Sequence, residues 1–391
     1  MISLEQAQAR LIALASPLSE ETVLLPDAIG RWAAAPVNAK RTQPNRDLSA
    51  MDGYAVAQAS APGSWRVIGE SAAGAGYSGT VGAGEAVRIF TGGPLPAGTD
   101  TVVMQENVSR EGDRIGLLPT VTVILGQHVR RRGSDFSQGA PLIQPGDLLT
   151  PARIALAASA GFGTLPVRRR PRIDILSTGN ELVPPGAEVG EDQIPESNTI
   201  MVAALLQSFR CTVHSPGIVR DDMADLTAAI RASTADVLVT CGGASVGDHD
   251  LVRPALAECG ATLDFWKVAM RPSKPVMAGK RGDQIILGLP GNPVSAFVTA
   301  TLLLRPLVAA LSGAANPLPV RTTAILDAPL PANGDRIDHI RAQWSAGRVV
   351  PVGMNDSAAL LALASADALI VRERGANAAN PGEQVEIILL T

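Results

Sequence analysis

The chain has 391 residues, of which 46% are hydrophobic and 18% charged; this predicts two to three domains at about 150 residues each and excludes a disordered chain. With 33 Lys and Arg against 37 Asp and Glu, the net charge is −4, so no global positive field gathers nucleic acid or an anionic membrane, and any anion needs a local site. Cys211, Cys241 and Cys259 are odd in number and lack CxxC spacing, which argues against a disulfide framework or a thiolate zinc site and leads us to expect a reducing cytoplasm.

Leu4, Ala7, Leu11 and Leu14 recur at helical spacing and predict an amphipathic helix over 4–15, with Ser3 and Gln6 as its capping box. Glu5 and Arg10 interrupt its apolar residues, unlike an export signal. From about Asp47 to Gln144, short runs (WRVIGES, AVRIFTGG, TVVMQEN, DRIGLLP, TVTVIL) alternate with Gly, Pro and Asp clusters, the pattern of a compact β-module. A helix from Pro151 to Ala160 follows. The run RRRPR, Arg168 to Arg172, reads as a solvated boundary, because no aromatic residues interleave with it as nucleic-acid stacking would require.

Between Arg172 and Gly313 strands and helices alternate, which predicts a largely parallel sheet with helices on both faces. The longest apolar run, Val294 to Leu311, is broken by Arg305 and Pro306 and should fall short of a membrane span. After ANPLP, a linker from Ala315 to Pro319, short strands and one short helix near Ser357 to Ala366 predict a small β-domain.

Ligands of open α/β sheets bind beyond the carboxyl ends of the strands. Three loops fall there. STGNEL offers Gly179 and Glu181. TCGGASVGDHDL offers Gly242, Gly243 and Gly247 for close backbone approach, with Ser245, Asp248 and Asp250 as polar groups. LGLPGNPVSA, containing Pro290 and Gly291, places Asn292 as an N-cap and Pro293 at the first helical position, so that the following amides face an anion, expected to be phosphate. Any one of these loops is as readily an ordinary turn; three in one sheet domain weigh towards a site. RPSKP adds Arg271 and Lys274 on a proline-stiffened loop, a forked donor and a point charge suited to an oxoanion. Of Asp221 and Asp222, the second reads as a helix cap, and Asp52 in MDGYAV and Asp135 in RRRGSDF fit turns equally well. His128, His214, His249 and His339 are scattered without zinc-ligand spacing, whereas Asp and Glu suit Mg²⁺ held partly through substrate phosphates. No Walker loop is present.

The segments SAMDGYAV, RIFTGGPLPAGTDTVVMQE, RRRGSDF, GDLLTPARIALAASAG, ILSTGNEL, SNTIMVAALL, GIVRDD, TCGGASVGDHDLV, FWKVAMRPSKPV and LGLPGNPVSAF, in this order, resemble the molybdopterin molybdenumtransferase family, which includes the C-terminal domain of gephyrin. The resemblance is strong over about residues 1–313 and general thereafter. It implies a multidomain α/β plus β fold: an elongated N-terminal domain (1–46 and 140–170), an inserted β-rich domain (47–139), a molybdopterin-binding three-layer α/β/α domain (171–314) and a C-terminal β-barrel (315–391). It further implies a homodimer whose site lies between the α/β domain of one subunit and the β-rich domain of the other, without nucleic acid or membrane. The implied reaction inserts molybdate into adenylylated molybdopterin with Mg²⁺-dependent hydrolysis of the adenylate.

By motif position, Asp52, Asp135, Glu181, Asp221 and Asp250 match the family's functional carboxylates, with Glu181 and Asp250 as candidate Mg²⁺ ligands. Arg271 and Lys274 match the molybdate-holding pair. Thr91, with Gly242, Gly243, Ser245, Gly247, Pro290, Gly291 and Asn292, completes the molybdopterin and phosphate positions. Ser273 stands where many members have Gly, Asn180 where Asp is frequent, and His249 where an aromatic residue is frequent; these departures bear on molybdate against tungstate. A molybdopterin adenylyltransferase-like enzyme, a dimeric molybdopterin-binding scaffold and a simple carrier are the alternatives. A docking adenylyltransferase and recipient molybdoenzymes are the further partners.

Overall fold

A computed structural model of the chain describes residues 1–58, 63–243, 251–353 and 356–390. Helix α1 (Leu4–Leu14) starts at the expected capping box: Ser3 Oγ accepts from Gln6 N–H, and Gln6 Oε1 accepts from Ser3 N–H. Its buried Leu4, Ala7 and Leu11 join the core of the α/β unit. Strand β1 (Glu20–Leu24) then leads outward towards an inserted sheet built from β2 (Gly53–Val56), β3 (Ser64–Ser71), β4 (Glu85–Ile89), β5 (Thr101–Met104), β6 (Val108–Glu111) and β7 (Arg114–Leu117). These strands lie in the order β5-β2-β4-β3-β7-β6 around buried Tyr54, Trp65, Val103 and Ile115. After helix α2 (Pro151–Ser159), strand β8 (Thr164–Arg168) returns antiparallel to β1, with Glu20 opposite Arg168.

The α/β unit comprises β9 (Arg172–Thr178), α3 (Asn198–Leu206), β10 (Thr212–His214), β11 (Ile218–Val219), α4 (Met223–Ala232), β12 (Val237–Cys241), α5 (Val252–Glu258), β13 (Thr262–Trp266), β14 (Met270–Arg271), β15 (Met277–Arg281), β16 (Gln284–Leu289) and the helix α6 (Pro293–Leu311). Its sheet runs β10-β9-β12-β16-β15-β13, with β11 also pairing β9; β9 to β12 and β16 are parallel and the β15–β13 edge is antiparallel. Every residue of β12 and β16 is buried, as strands covered on both faces require. Asp222 caps α4 as expected, accepting from the N–H groups of Ala224 and Asp225.

Two readings from sequence need correction. The basic run is a joint and not a solvated linker: both terminal nitrogens of Arg169 donate to Asp236 at 2.7 Å, and Arg172 N–H donates to the same carboxylate at 2.8 Å. The interruption at Arg305 and Pro306 does not end the last helix, because a π-type turn over Ala300–Leu304 carries it through. With 19 residues and a mean hydropathy of 1.8, α6 is long and apolar enough to cross a membrane, yet 83% of that stretch is buried inside the fold, the state of a core helix.

Pro306 has no N–H to offer the Leu302 carbonyl one turn earlier, and the side-chain amide of Gln8 on α1 donates to that oxygen at 2.9 Å. Gln8→Leu should therefore destabilise the chain by ~1–3 kcal/mol, the cost of an unmet buried acceptor, although leucine adds apolar surface. An unchanged urea midpoint would remove this role.

The C-terminal unit is a closed five-stranded barrel of β17 (Thr322–Leu326), β18 (Ile337–Ser345), β19 (Arg348–Pro351), β20 (Ala368–Arg372) and β21 (Gln384–Leu389), with the short helix α7 (Leu360–Ala364) before β20. The ring runs β18-β19-β17-β21-β20 and closes through β18–β20 pairing. The fold is thus multidomain α/β plus β, with an inserted β-sheet and a terminal barrel.

Candidate active site

The carboxyl ends of β9, β12 and β16 open into a cleft of about 1420 Å³, closed on its far side by the barrel. Glu181 lines it from the first loop, Asp221 from the turn after β11, Gly242 and Gly243 from the second loop and Pro290, Gly291 and Asn292 from the third, with Arg271 and Lys274 on the basic loop. The β9 and β11 loops are fastened together. Thr178 Oγ1 donates to Asp221 Oδ1, and Asp221 N–H donates to Asn180 Oδ1 at 3.2 Å. Gly242, at φ +99°, lies so close to the β9 end that a Cβ would sit 2.8 Å from the Thr178 carbonyl oxygen. Only glycine combines that angle with that approach.

Asn292 occupies the N-cap position of α6 but makes no side-chain cap bond. Its Nδ2 instead donates to Ser357 Oγ at 3.0 Å, and Val294 N–H donates to the Ser357 carbonyl at 3.0 Å. One of the amides expected to face phosphate is therefore spent on joining this loop to the barrel.

The basic loop is gripped by the barrel as well. β14 pairs in parallel with β18, setting Arg271 opposite Asp338, and Arg336 donates to the Met270 carbonyl at 3.3 Å. His339 is buried, and desolvation pushes its imidazole down to about 4, so it is neutral at pH 7. Its Nδ1 lies 3.4 Å from the Arg271 carbonyl oxygen, which it can meet only as a donor. Burial raises the carboxyl of Asp338, while Arg271 and Arg336 act in the opposite direction. Among the described residues, neither the Arg271 guanidinium nor the Lys274 ammonium forms a salt bridge. Two cations held on one loop are chemically suited to an oxoanion.

Ser273, between them, has φ +90°. A side chain in that region costs ~1–2 kcal/mol, and glycine removes the cost while adding unfolded-state entropy. Ser273→Gly should accordingly stabilise the chain by a net ~0.5–1 kcal/mol in chemical denaturation. A lower midpoint would show that the loop draws more from the serine hydroxyl than it loses to the backbone.

The remaining predicted residues lie elsewhere in the chain. Asp52, Thr91 and Asp135 do not line the cleft. Thr91 donates to Asp52 Oδ1 from both N–H, at 2.7 Å, and Oγ1, at 2.8 Å. These bonds, with the charge of Arg88, hold the Asp52 carboxyl below its ordinary value, so it is an anion at neutral pH. Arg88 stacks over Tyr54 and Phe90, at 5.1 and 4.8 Å, and donates to the Gly53 carbonyl at 3.2 Å. Asp135 is exposed, its N–H donating to the Gln43 carbonyl at 3.1 Å. Ser245, Gly247 and Asp250 lie outside the described residues. No group of three His, Cys, Asp or Glu among the described residues forms a metal cage.

Sequence reasoning missed the barrel's share of the cleft, Arg336, Asp338, His339 and Ser357, and also Glu196 and Asn198 at the start of α3. The available signal was a carboxylate two residues before a helix.

Comparison with known proteins places these features. Residues 2–161 match a family model described as "MoeA N-terminal region (domain I and II)", 174–310 one described as "Probable molybdopterin binding domain" and 323–390 one described as "MoeA C-terminal region (domain IV)". The molybdopterin molybdenumtransferase of Haemophilus influenzae is 34% identical, covering 99% of this chain and 98% of its own length. That of a Nostoc species is 35% identical, covering 96% and 90%. A crystal structure of the molybdopterin biosynthesis moeA protein of Pyrococcus horikoshii OT3 superposes with a TM-score of 0.86 at 26% identity and covers 100% of both chains.

Proposed function

Because the chain belongs to the molybdopterin molybdenumtransferase family, and is thus a transferase of molybdenum cofactor biosynthesis, we propose that its cleft inserts molybdate into adenylylated molybdopterin with Mg²⁺-dependent hydrolysis of the adenylate. The observation that carries this reading is the pair of cations, Arg271 and Lys274, which form no salt bridge among the described residues and line one cleft with the glycine-rich strand-end loops. Arg271 offers forked donors and Lys274 a mobile charge, and together they hold the incoming oxoanion. The backbone at Gly242, Gly243 and Gly291 admits the phosphates closely.

Glu181 and Asp221 fit a hard cation that the substrate's phosphates largely carry, since the described residues form no closed cage. Asp250 would join them. Bound Mg²⁺ would neutralise charge between carboxylates and phosphates and polarise the phosphoryl oxygen. Asp52 and Asp135 are absent from the cleft of their own chain, so in our reading a second copy brings them, and the working unit is a homodimer. We place it in the cytoplasm, receiving its nucleotide from an adenylyltransferase and passing its product to recipient molybdoenzymes.

The test is AMP release from adenylylated molybdopterin with Mg²⁺ and molybdate. We expect release to require both. No AMP, or full release in excess EDTA, would overturn the proposal and favour a carrier or scaffold.

A further inference from the structure

The cleft has two walls of opposite character. The cationic one is the basic loop. Opposite in charge is Glu196, whose carboxylate is only 7% exposed and lines the same cleft next to the ends of β9 and β12. Its Oε1 is fixed by two donors, Ser177 Oγ–H at 3.1 Å and Thr199 N–H at 2.8 Å. Among the described residues no cation pairs with it and no donor reaches Oε2. Two residues on, Asn198 commits its Nδ2 to the Gly291 carbonyl at 2.7 Å, which leaves Oδ1 buried without a donor. Asn198 Oδ1 is thus a costly buried acceptor without a donor, and beside it Glu196 Oε2 stays open to accept at the cleft; together they call for a ligand that brings N–H groups.

We propose that Glu196, assisted by Asn198, is the subsite that reads the pyrimidine edge of the pterin, its N3–H and 2-amino group. This rests on the functional reading above and adds to it the residue that selects the heterocycle. The pterin edge carries two adjacent donors, and a fixed carboxylate oxygen with a neighbouring amide oxygen is their complement. The same negative wall disfavours free molybdate, which is left to Arg271 and Lys274. One elongated substrate can then enter in a single orientation, with its donor-rich end at Glu196 and its phosphates along the glycine loops.

Glu196 also holds the first turn of α3 through Thr199, so the informative variant must keep that bond. Glu196→Gln does so: its Oε1 still accepts from Ser177 and Thr199, while Oε2 becomes an NH₂ group facing the pterin donors. With the purified full chain, we expect adenylylated molybdopterin to bind Glu196→Gln at least tenfold more weakly than wild type, with an unchanged melting temperature and unchanged oxoanion dependence.

A second measurement uses wild type alone. Pterin should compete for the cleft about tenfold better than lumazine, whose 2-oxo group sets an acceptor against the carboxylate. Equal binding of adenylylated molybdopterin by folded Glu196→Gln and wild type, or equal competition by pterin and lumazine, would overturn the subsite and leave the functional reading intact. Failure of wild type to bind adenylylated molybdopterin at all would overturn both.

Discussion

Lys274→Ala and Arg271→Ala should each raise the molybdate concentration for half-maximal turnover by about tenfold, with little change in the affinity for adenylylated molybdopterin. Both side chains are exposed in the cleft, so each charge-assisted bond is taken at the low end of its range, ~1.5 kcal/mol, which is roughly a factor of ten. The loop itself should survive the substitutions. It is held by backbone pairing to β18, by Arg336 on the Met270 carbonyl and by backbone bonds from Val268 N–H to the Lys274 carbonyl and from Lys267 N–H to that of Val276. Added molybdate should therefore rescue each single variant, and the double variant should need far more. If molybdate dependence is the same in both single variants, the oxoanion is held elsewhere.

The second large effect is complementation. Asp52→Ala and Glu181→Ala proteins should each be nearly inactive, yet after subunit exchange a mixture should regain up to about a quarter of wild-type activity per subunit, from heterodimers carrying one intact site. The basis is spatial: Glu181 lines the cleft, whereas Asp52, locked to Thr91, stands on the inserted sheet away from it. Neither substitution touches the other's surroundings. A mixture that stays inactive, with exchange verified by differently tagged chains, would place all the working carboxylates within one chain. A monomer in solution would do the same.

The α/β unit was legible in the sequence because its signal is local. VLVTC and QIILGL are uninterrupted apolar runs, and they became the fully buried central strands. The capping box at Ser3 and the cap at Asp222 are equally local, and both formed as read. Barrel closure depends on β18 meeting β20, where Ala342 pairs with Ala368; nothing in either strand taken alone specifies that partner, and it was the family resemblance that supplied the barrel. The RRRPR run was misread for a related reason, since its partner Asp236 lies 67 residues from Arg169.

The site was half legible. Glycines and carboxylates after strands announced the α/β wall of the cleft. His339 and Arg336 lie on or beside a strand whose alternation of buried and half-buried positions is the same whether it faces a neighbouring unit or a core of its own. Glu196 was hidden by its neighbourhood, a proline-rich loop leading into α3, where a carboxylate reads as helix capping and nothing more.

The grip of β18 on β14 also orders events during synthesis. The α/β strands and both cations leave the ribosome before any of the barrel, and domains tend to fold as their residues emerge. Until Ile337 and Asp338 arrive to pair with Met270 and Arg271, the nascent chain carries its basic loop on an unbraced edge. The ring itself cannot close before β20 and β21 appear near the C-terminus. A chain stalled or cleaved ahead of that point would hold the α/β sheet yet lack the brace that sets Arg271 in place, so competence would be acquired only after the barrel strands have emerged.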